Sequence, residues 1–535
     1  MPNNSRERFS RLLCLLSLFL LAAHGEARCG ETAHAEHPNI VVILVDDMGF
    51  SDIGCYGSEI PTPNLDALAA GGLQFTQFYN TGRCCPTRAA LLTGLYSHQA
   101  GVGHMTSDYG MPGYRGFLNE HCVTLGDIAR SAGYLAAATG KWHVGHKQRS
   151  MWPLARGFDR FYGVPEGAGF YFQVKQGRTV VLNDEVVASV GKPLPAGWHS
   201  TDAWTEYGLK FIDEALAADK PFLLYLAHNA PHFPLQASAE DIALFRGKYR
   251  QGWDKLSEQR HARQVERGLI EPTWRKAQRP DDVAAWESLS ATDQDRFDHI
   301  MATYAACVYA MDRSVGTLID GLKRRDQLDN TLILFMSDNG GSHESGPNGR
   351  SQGDPTTARS SWFCGKSWAW MQNTPFRKFK IYNHEGGIAT PLVAHWPNGI
   401  SAPGELRRQP AHVIDIMATL LDVTGADYPK RQDGVDILSM EGKSLLPAFD
   451  DRSIERDALY WEHKGNAAVR CGDWKLVRLG CQGNWELYNL RTDRTEQHNL
   501  AAQQPQRVVE LTEKWLTWAK RCHVAIDGQP QKGGR

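Results

Sequence analysis

The chain is 535 residues long and carries 58 Lys and Arg against 60 Asp and Glu, a formal net charge of −2, which excludes nucleic-acid binding driven by overall charge. At 42% hydrophobic and 22% charged residues, it has too much apolar content to remain disordered. Its 51 Gly and 26 Pro imply many turns, which excludes a simple helical bundle.

Arg6, Arg8 and Arg11 precede an apolar run, Leu12–Ala23, that is too short to span a bilayer and is followed by small residues. This pattern reads as a secretory signal peptide over residues 1–27, with the cut after Gly25, Ala27 or Ala35. It predicts an exported protein, periplasmic or extracellular, with no stable membrane insertion once the signal is removed. Asn39–Val45 is a short, continuous run of Val and Ile, the pattern of a buried parallel strand, and it runs into Asp46 and Asp47. Phe222–Ala227 repeats this, ending in His228 to His232, and Leu332–Met336 does so again, ending in Asp338 and Asn339. Leu392–Trp396 is a further strand. Helical patterns lie between them, at Asn64–Gly71, Leu125–Ala132, Thr205–Ala218 and Tyr304–Leu322.

Alternating strands and helices over residues 37–446 predict an α/β domain with a large, mixed and mostly parallel sheet flanked by helices. Polar residues just after the apolar runs stand where such sheets bind ligands. Arg246–Asp298 reads as a helical insertion and Gly340–Trp370 as a long loop at the site's rim. Residues 447–530 read as a small C-terminal α+β domain. Its antiparallel strands are Ala458–His463, Ala468–Leu479 and Trp485–Leu490, and its helix is Pro505–Cys522. Cys471 and Cys481 flank Trp474–Leu479 and are read either as a cross-hairpin disulfide or as small buried thiols.

The most informative segment is Cys84-Cys85-Pro86-Thr87-Arg88-Ala89-Ala90-Leu91-Leu92-Thr93-Gly94. Pro86 suits the first turn of a helix that begins at Cys84. Cys84 then stands at the positive helix end, a natural anion site. Arg88 lies one turn on, on the same face.

C-x-P-x-R followed by Leu-Thr-Gly resembles the signature of the formylglycine-dependent sulfatases, in the alkaline phosphatase superfamily. Further matching segments follow in order: Val45–Gly49, Gly140–His143, Ala230–His232, Ser337–Gly340 and His384–Gly387. The resemblance runs from about Asn39 to His498. The wording around Arg246–Leu269, Asn373–Lys380 and His384–Gly387 is similar to bacterial arylsulfatases. It implies that a maturation enzyme oxidises Cys84 to formylglycine, and that the substrate is a sulfated small molecule or glycan. Thr87 departs from the more common Ser at a free position. Cys85 departs more seriously, since a vicinal disulfide blocks modification, and Cys85 itself has the wrong spacing to Pro86.

Asp46, Asp47, Asp338 and Asn339, with the modified Cys84, make up the metal set the resemblance implies. The four Asp and Asn side chains offer only oxygen, which selects a hard cation, Ca²⁺ before Mg²⁺, over zinc. Both consecutive Asp reach one metal only where the backbone leaves strand geometry. The resemblance further implies His143 as the base that releases sulfate and His232 as the proton donor to the leaving oxygen. Lys141 and Lys380 match the cations on the sulfate oxygens, and Arg88 the support for residue 84. His228 is the neighbouring alternative to His232, and His384 a further candidate for substrate contact. Three other readings stand beside a sulfate monoester hydrolase. One is a phosphonate monoester or phosphodiester hydrolase of the same superfamily; a second is a non-catalytic binding protein that keeps the fold, although no motif residue is missing; a third is an extracellular glycan-binding module, for which the charge balance offers no basic patch.

Overall fold

A computed structural model describes residues 37–530 apart from Ala168, Asp527 and Gln529; the expected signal peptide lies outside the described residues. Asn39–Val45 is a strand buried at every position, which is why its sequence is apolar without alternation. It pairs in parallel with Phe222–Ala227 on one side and Thr331–Ser337 on the other. Leu135–Lys141 and then Arg160–Val164 extend the parallel order beyond Phe222–Ala227. On the opposite flank Ala389–His395 runs antiparallel to both Thr331–Ser337 and Leu73–Tyr79. Short marginal strands bring the sheet to eleven strands, mixed and mostly parallel as the sequence predicts. The long helices Ser200–Ala217 and Ala291–Lys323 pack on one another, the first also against Leu135–Lys141 and Phe222–Ala227.

Register gathers the strand ends. Leu44 pairs with Met336 and with Ala227, and Gly140 pairs with Ala227 as well. Asp46, Asp338, His228 and Lys141 therefore leave the sheet at one edge. The antiparallel strand begins at that edge too, with Ala389 opposite Tyr79. Gly140 has φ 92, and a Cβ there would lie 2.0 Å from the Ala227 carbonyl oxygen. Only glycine lets the strand deliver Lys141 this close to its neighbour.

Some elements differ from expectation. The helix expected over Tyr304–Leu322 starts at Ala291 instead, where Ser290 caps it by accepting from the Asp293 amide. The rim segment contains a hairpin, Arg350–Gln352 with Ser361–Phe363, and the helix Gly365–Gln372. Ala468–Leu479 is not one strand. Gly472 (φ 57) turns the chain, and Cys471 pairs with Trp474 across the hairpin. The C-terminal sheet thus has four antiparallel strands, Leu459–His463, Asn466–Cys471, Trp474–Arg478 and Glu486–Asn489, with Pro505–Arg521 packed on it. No disulfide joins Cys471 to Cys481. From Pro38 onward the chain forms one compact unit. Among the described residues, no helix is long and apolar enough to cross a membrane.

Candidate active site

The helix Cys84–Thr93 begins at Cys84, with Arg83 extended as its N-cap. Cys84 is thus the first helical residue, beside amide groups that have no intrahelical acceptor. Neither Cys84 nor Cys85 is in a disulfide. Their sulfurs and a ring nitrogen of His143 lie within 4.8 Å of one another. A hydrogen bond with Cys85 lowers the Cys84 thiol well below its ordinary range; burial opposes this, and Lys141 and His143 add to it. Burial and then the Lys141 charge push His143 down to about 4, so its imidazole is neutral near pH 7. Its Nδ1 has no partner among the described residues.

Asp47 adopts φ 67, the departure from strand geometry that two consecutive ligands require. Lys141 Nζ donates to Asp46 Oδ2 at 2.5 Å. Burial raises the Asp46 pKa, but Lys141, His232 and Arg88 outweigh it and hold the carboxyl below its usual range. Arg88 Nε and Nη2 donate to Asp338 Oδ2 at 3.1 and 2.8 Å, and its Nη1 to the Lys141 carbonyl at 2.7 Å. The guanidinium therefore braces the acidic cluster as well as facing the helix start. Asn339 Nδ2 donates to Asp47 Oδ1 at 2.8 Å. The structure brings Asp46, Asp47, Asp338 and Asn339 together, all enclosed. Asp46 Oδ1 and Asn339 Oδ1 are enclosed acceptors with no donor among the described residues.

Lys380 Nζ lies 2.8 Å from Asp47 Oδ2 and 2.9 Å from Glu344 Oε2. His232 Nε2 is 3.5 Å from Asp47 Oδ2, while its Nδ1 is hydrogen-bonded to the Phe233 carbonyl. An imidazole thus adjoins the oxygen shell, which ligand chemistry alone did not include. His228 is fully enclosed and feels Asp202 and His199 rather than this cluster. His143 and His232, at 8% and 7% exposed, are the least enclosed of the predicted site residues. Sequence reasoning missed Glu344, which bridges Lys380 and Arg83. It also missed Phe233, stacked on His232 at 4.1 Å and on Phe363 of the rim hairpin at 4.2 Å. An aromatic beside a predicted histidine was the one available signal.

His384 is fully enclosed, with Nε2 3.3 Å from Glu486 Oε2, so it anchors the C-terminal sheet and is not presented to a substrate. Glu385 next to it meets Lys475 and Arg494 at 2.8 Å each.

The chain matches the sulfatase family model over residues 38–426. It also matches the model for the N-sulphoglucosamine sulphohydrolase C-terminal region over residues 376–520. It is 32% identical to an uncharacterized sulfatase of Schizosaccharomyces pombe, over 92% of this chain and 95% of that one. It is 34% identical to the arylsulfatase of Klebsiella aerogenes, over 77% and 92%. The N-acetylgalactosamine-6-sulfatase of Sus scrofa is 28% identical, over 89% and 78%. Among solved structures, Ps i-CgsB in complex with k-i-k-neocarrahexaose is 27% identical with a TM-score of 0.68, covering 92% of this chain and 94% of that one.

Proposed function

The chain belongs to the sulfatase family and is a sulfuric ester hydrolase, and we propose that it hydrolyses aryl or carbohydrate sulfate monoesters at a formylglycine formed from Cys84. The observation that carries this reading is Cys84 at the start of its helix, beside His143 and under the charge of Lys141, with Arg88 of the same helix bonded to Asp338 of the acidic cluster. Pro86 and Arg88 at the second and fourth positions after it support conversion by a maturation enzyme. As the aldehyde hydrate, residue 84 would supply one hydroxyl to attack sulfur and a second through which sulfate is expelled.

The donor set fits a hard cation. Oxygens of Asp46 and Asp47 lie within 4.8 Å of one another and of a His232 nitrogen, Asp338 accepts from the Asp47 amide, and Asp46 Oδ1 and Asn339 Oδ1 lack donors among the described residues. Ca²⁺, or Mg²⁺, held by Asp46, Asp47, Asp338 and Asn339 would offset developing negative charge. The remaining work falls to side chains. Lys141 and Lys380 neutralise sulfate oxygens from two sides. Arg88 fixes Asp338 against the helix that carries residue 84. His143, neutral near pH 7, is suited to accept a proton. His232 keeps Nδ1 on the Phe233 carbonyl, which leaves Nε2 to protonate the leaving oxygen.

The substrate classes follow from similarity to an arylsulfatase, to an N-acetylgalactosamine-6-sulfatase and to a carrahexaose complex. The signal pattern in residues 1–27 supports export, and residues 37–446 and 447–530 are assigned as catalytic and C-terminal domains. Mass spectrometry of the residue-84 peptide tests the modification: quantitative iodoacetamide alkylation of Cys84 in an active preparation refutes it. Turnover of nitrophenyl sulfate against a nitrophenyl phosphodiester tests the ester class, with the sulfate expected to be preferred.

A further inference from the structure

Beside Cys84 lies a group of cations and imidazoles that no step above uses. Arg83 Nη2 donates to Glu344 Oε1 at 3.1 Å. Its Nε and Nη1 are enclosed and have no partner among the described residues. A buried guanidinium with idle donors is costly, so an acceptor belongs there. Gly82, next to Arg83, accepts from the Ile381 amide at 2.7 Å, and the turn after Leu459–His463 of the C-terminal sheet meets the same segment. That turn is pinned to the segment after Lys380: Asn383 Nδ2 donates to the Asn466 carbonyl at 2.8 Å, and Asn466 Nδ2 to the Ile381 carbonyl at 3.3 Å.

His463 is fully enclosed, with Nδ1 3.4 Å from the Gly103 carbonyl and Nε2 without a partner among the described residues. The His104 ring lies 5.4 Å from it, and His104 Nδ1 is likewise without a partner. Lys464, at the tip of the turn, is exposed. Burial first, and then the charges of Arg83 and Lys464, push His463 well below its ordinary range and His104 to about 4. The charges of Arg83 and Lys380 bear on Lys464 too, which ties the group to the mouth of the site. Of the nearby acids, Glu344 is shared between Arg83 and Lys380, and Glu462 is taken by His98 at 2.7 Å. Asp47 holds Lys380 as well, so Arg83 has Glu344 as its one carboxylate and Lys464 is ion-paired with none among the described residues.

Resting on the reading that the chain cleaves sulfate esters, we infer that Arg83, Lys464, His104 and His463 form a second anion subsite beside residue 84, which takes a further sulfate or carboxylate of the same substrate molecule. The guanidinium fork suits two oxygens of one oxyanion. Lys464 meets the group at the open end, and the half-buried imidazole of His104 and the enclosed imidazole of His463 back it from inside. The substrate class is then a polyanionic sulfated glycan rather than an aryl monosulfate, and the C-terminal sheet supplies part of its specificity.

The test uses the full-length, converted, calcium-loaded enzyme turning over nitrophenyl sulfate at constant ionic strength. Competitors are glycosaminoglycan disaccharides with one or two sulfates, a sulfated galactose lacking a carboxylate, and inorganic sulfate. The second anion should tighten competition about tenfold in the parent enzyme, whichever of sulfate or carboxylate provides it. Lys464→Gln and Arg83→Gln should remove that gain, and Lys464→Arg should keep it. Arg83 adjoins the modified residue, so conversion at position 84 is quantified in each protein, and Lys464→Gln decides the matter if conversion fails in Arg83→Gln. Equal competition by one- and two-anion ligands in the parent enzyme, or a full gain in Lys464→Gln, overturns the subsite. Absence of any nitrophenyl sulfate turnover in the parent enzyme would instead count against the sulfatase reading.

Discussion

Lys475 Nζ and Glu385 Oε1 meet at 2.8 Å with neither side chain exposed, where the C-terminal sheet adjoins the segment that carries Lys380. Arg494 holds the other Glu385 oxygen at 2.8 Å, and Lys475 also reaches Glu496 at 2.8 Å. Buried charges of this kind are tolerated only when paired. Lys475→Met should leave one oxygen of Glu385 and one of Glu496 without their cation and cost about 3–5 kcal/mol of stability. Denaturant unfolding followed by fluorescence measures it. A loss within about 0.5 kcal/mol, the size of an ordinary surface change, would mean that the pair does not hold the junction.

The same network sets an acid limit. Burial raises the Glu385 pKa, but Lys475, Arg494 and Arg470 outweigh it and hold the carboxyl at about 2. The folded value lies below the ordinary glutamate value of 4.5, so this stabilisation is complete above about pH 4.5 and is lost as the pH falls toward 2. Acid unfolding followed by circular dichroism should therefore begin at a higher pH in Lys475→Met than in the parent chain. Coincident curves would show that other carboxylates set the limit.

Metal dependence follows from the idle acceptors Asp46 Oδ1 and Asn339 Oδ1. Asp46→Ala or Asp338→Ala should abolish stoichiometric calcium, read by elemental analysis, and lower kcat about 10³-fold or more. Full activity after exhaustive chelation, with no metal bound, sinks the assignment.

The polar residues at strand ends were legible because a buried parallel strand is apolar along its whole length, so its end is marked by the first charge. Asp46–Asp47 and Asp338–Asn339 announce themselves this way, and Pro86 fixes the helix start at Cys84. Leu135–Lys141 was not legible as a strand. Its sequence, LAAATGK, has the small residues that close packing demands and little of the usual strand chemistry. Glu344 and Arg83 were missed for another reason. A single Glu in a Gly- and Ser-rich rim segment looks solvated, and its pairing with Lys380 and Arg83 exists only in three dimensions. The enclosure of His384 was not legible either, because its distance in sequence from Glu486 hides the contact that buries it.

His232 offers a test that separates proton donation from positioning. With Nδ1 on the Phe233 carbonyl, Nε2 is the nitrogen free to protonate the leaving oxygen. His232→Ala should lower kcat for alkyl or sugar sulfates by about 10²–10⁴-fold, the range of general acid catalysis. Nitrophenyl sulfate needs the proton less and should lose less. Equal losses for both leaving groups would move the role elsewhere.

Cys84→Ser probes the second half of the cycle. If residue 84 works through two hydroxyls, a single hydroxyl should suffice for attack on sulfur but not for release. The new oxygen bonds to sulfur, the bond from sulfur to the substrate oxygen breaks, and the alcohol leaves with a proton from His232. A serine sulfate ester remains, with no second hydroxyl through which to expel sulfate. One burst of alcohol without steady turnover is expected, the kinetic sign of a trapped covalent species. The residue-84 peptide should be heavier by one SO₃ group after exposure to an aryl sulfate. The serine must first be confirmed as unconverted by mass. Steady turnover by that unconverted variant, or a burst with no adduct, would require that water attack sulfur directly.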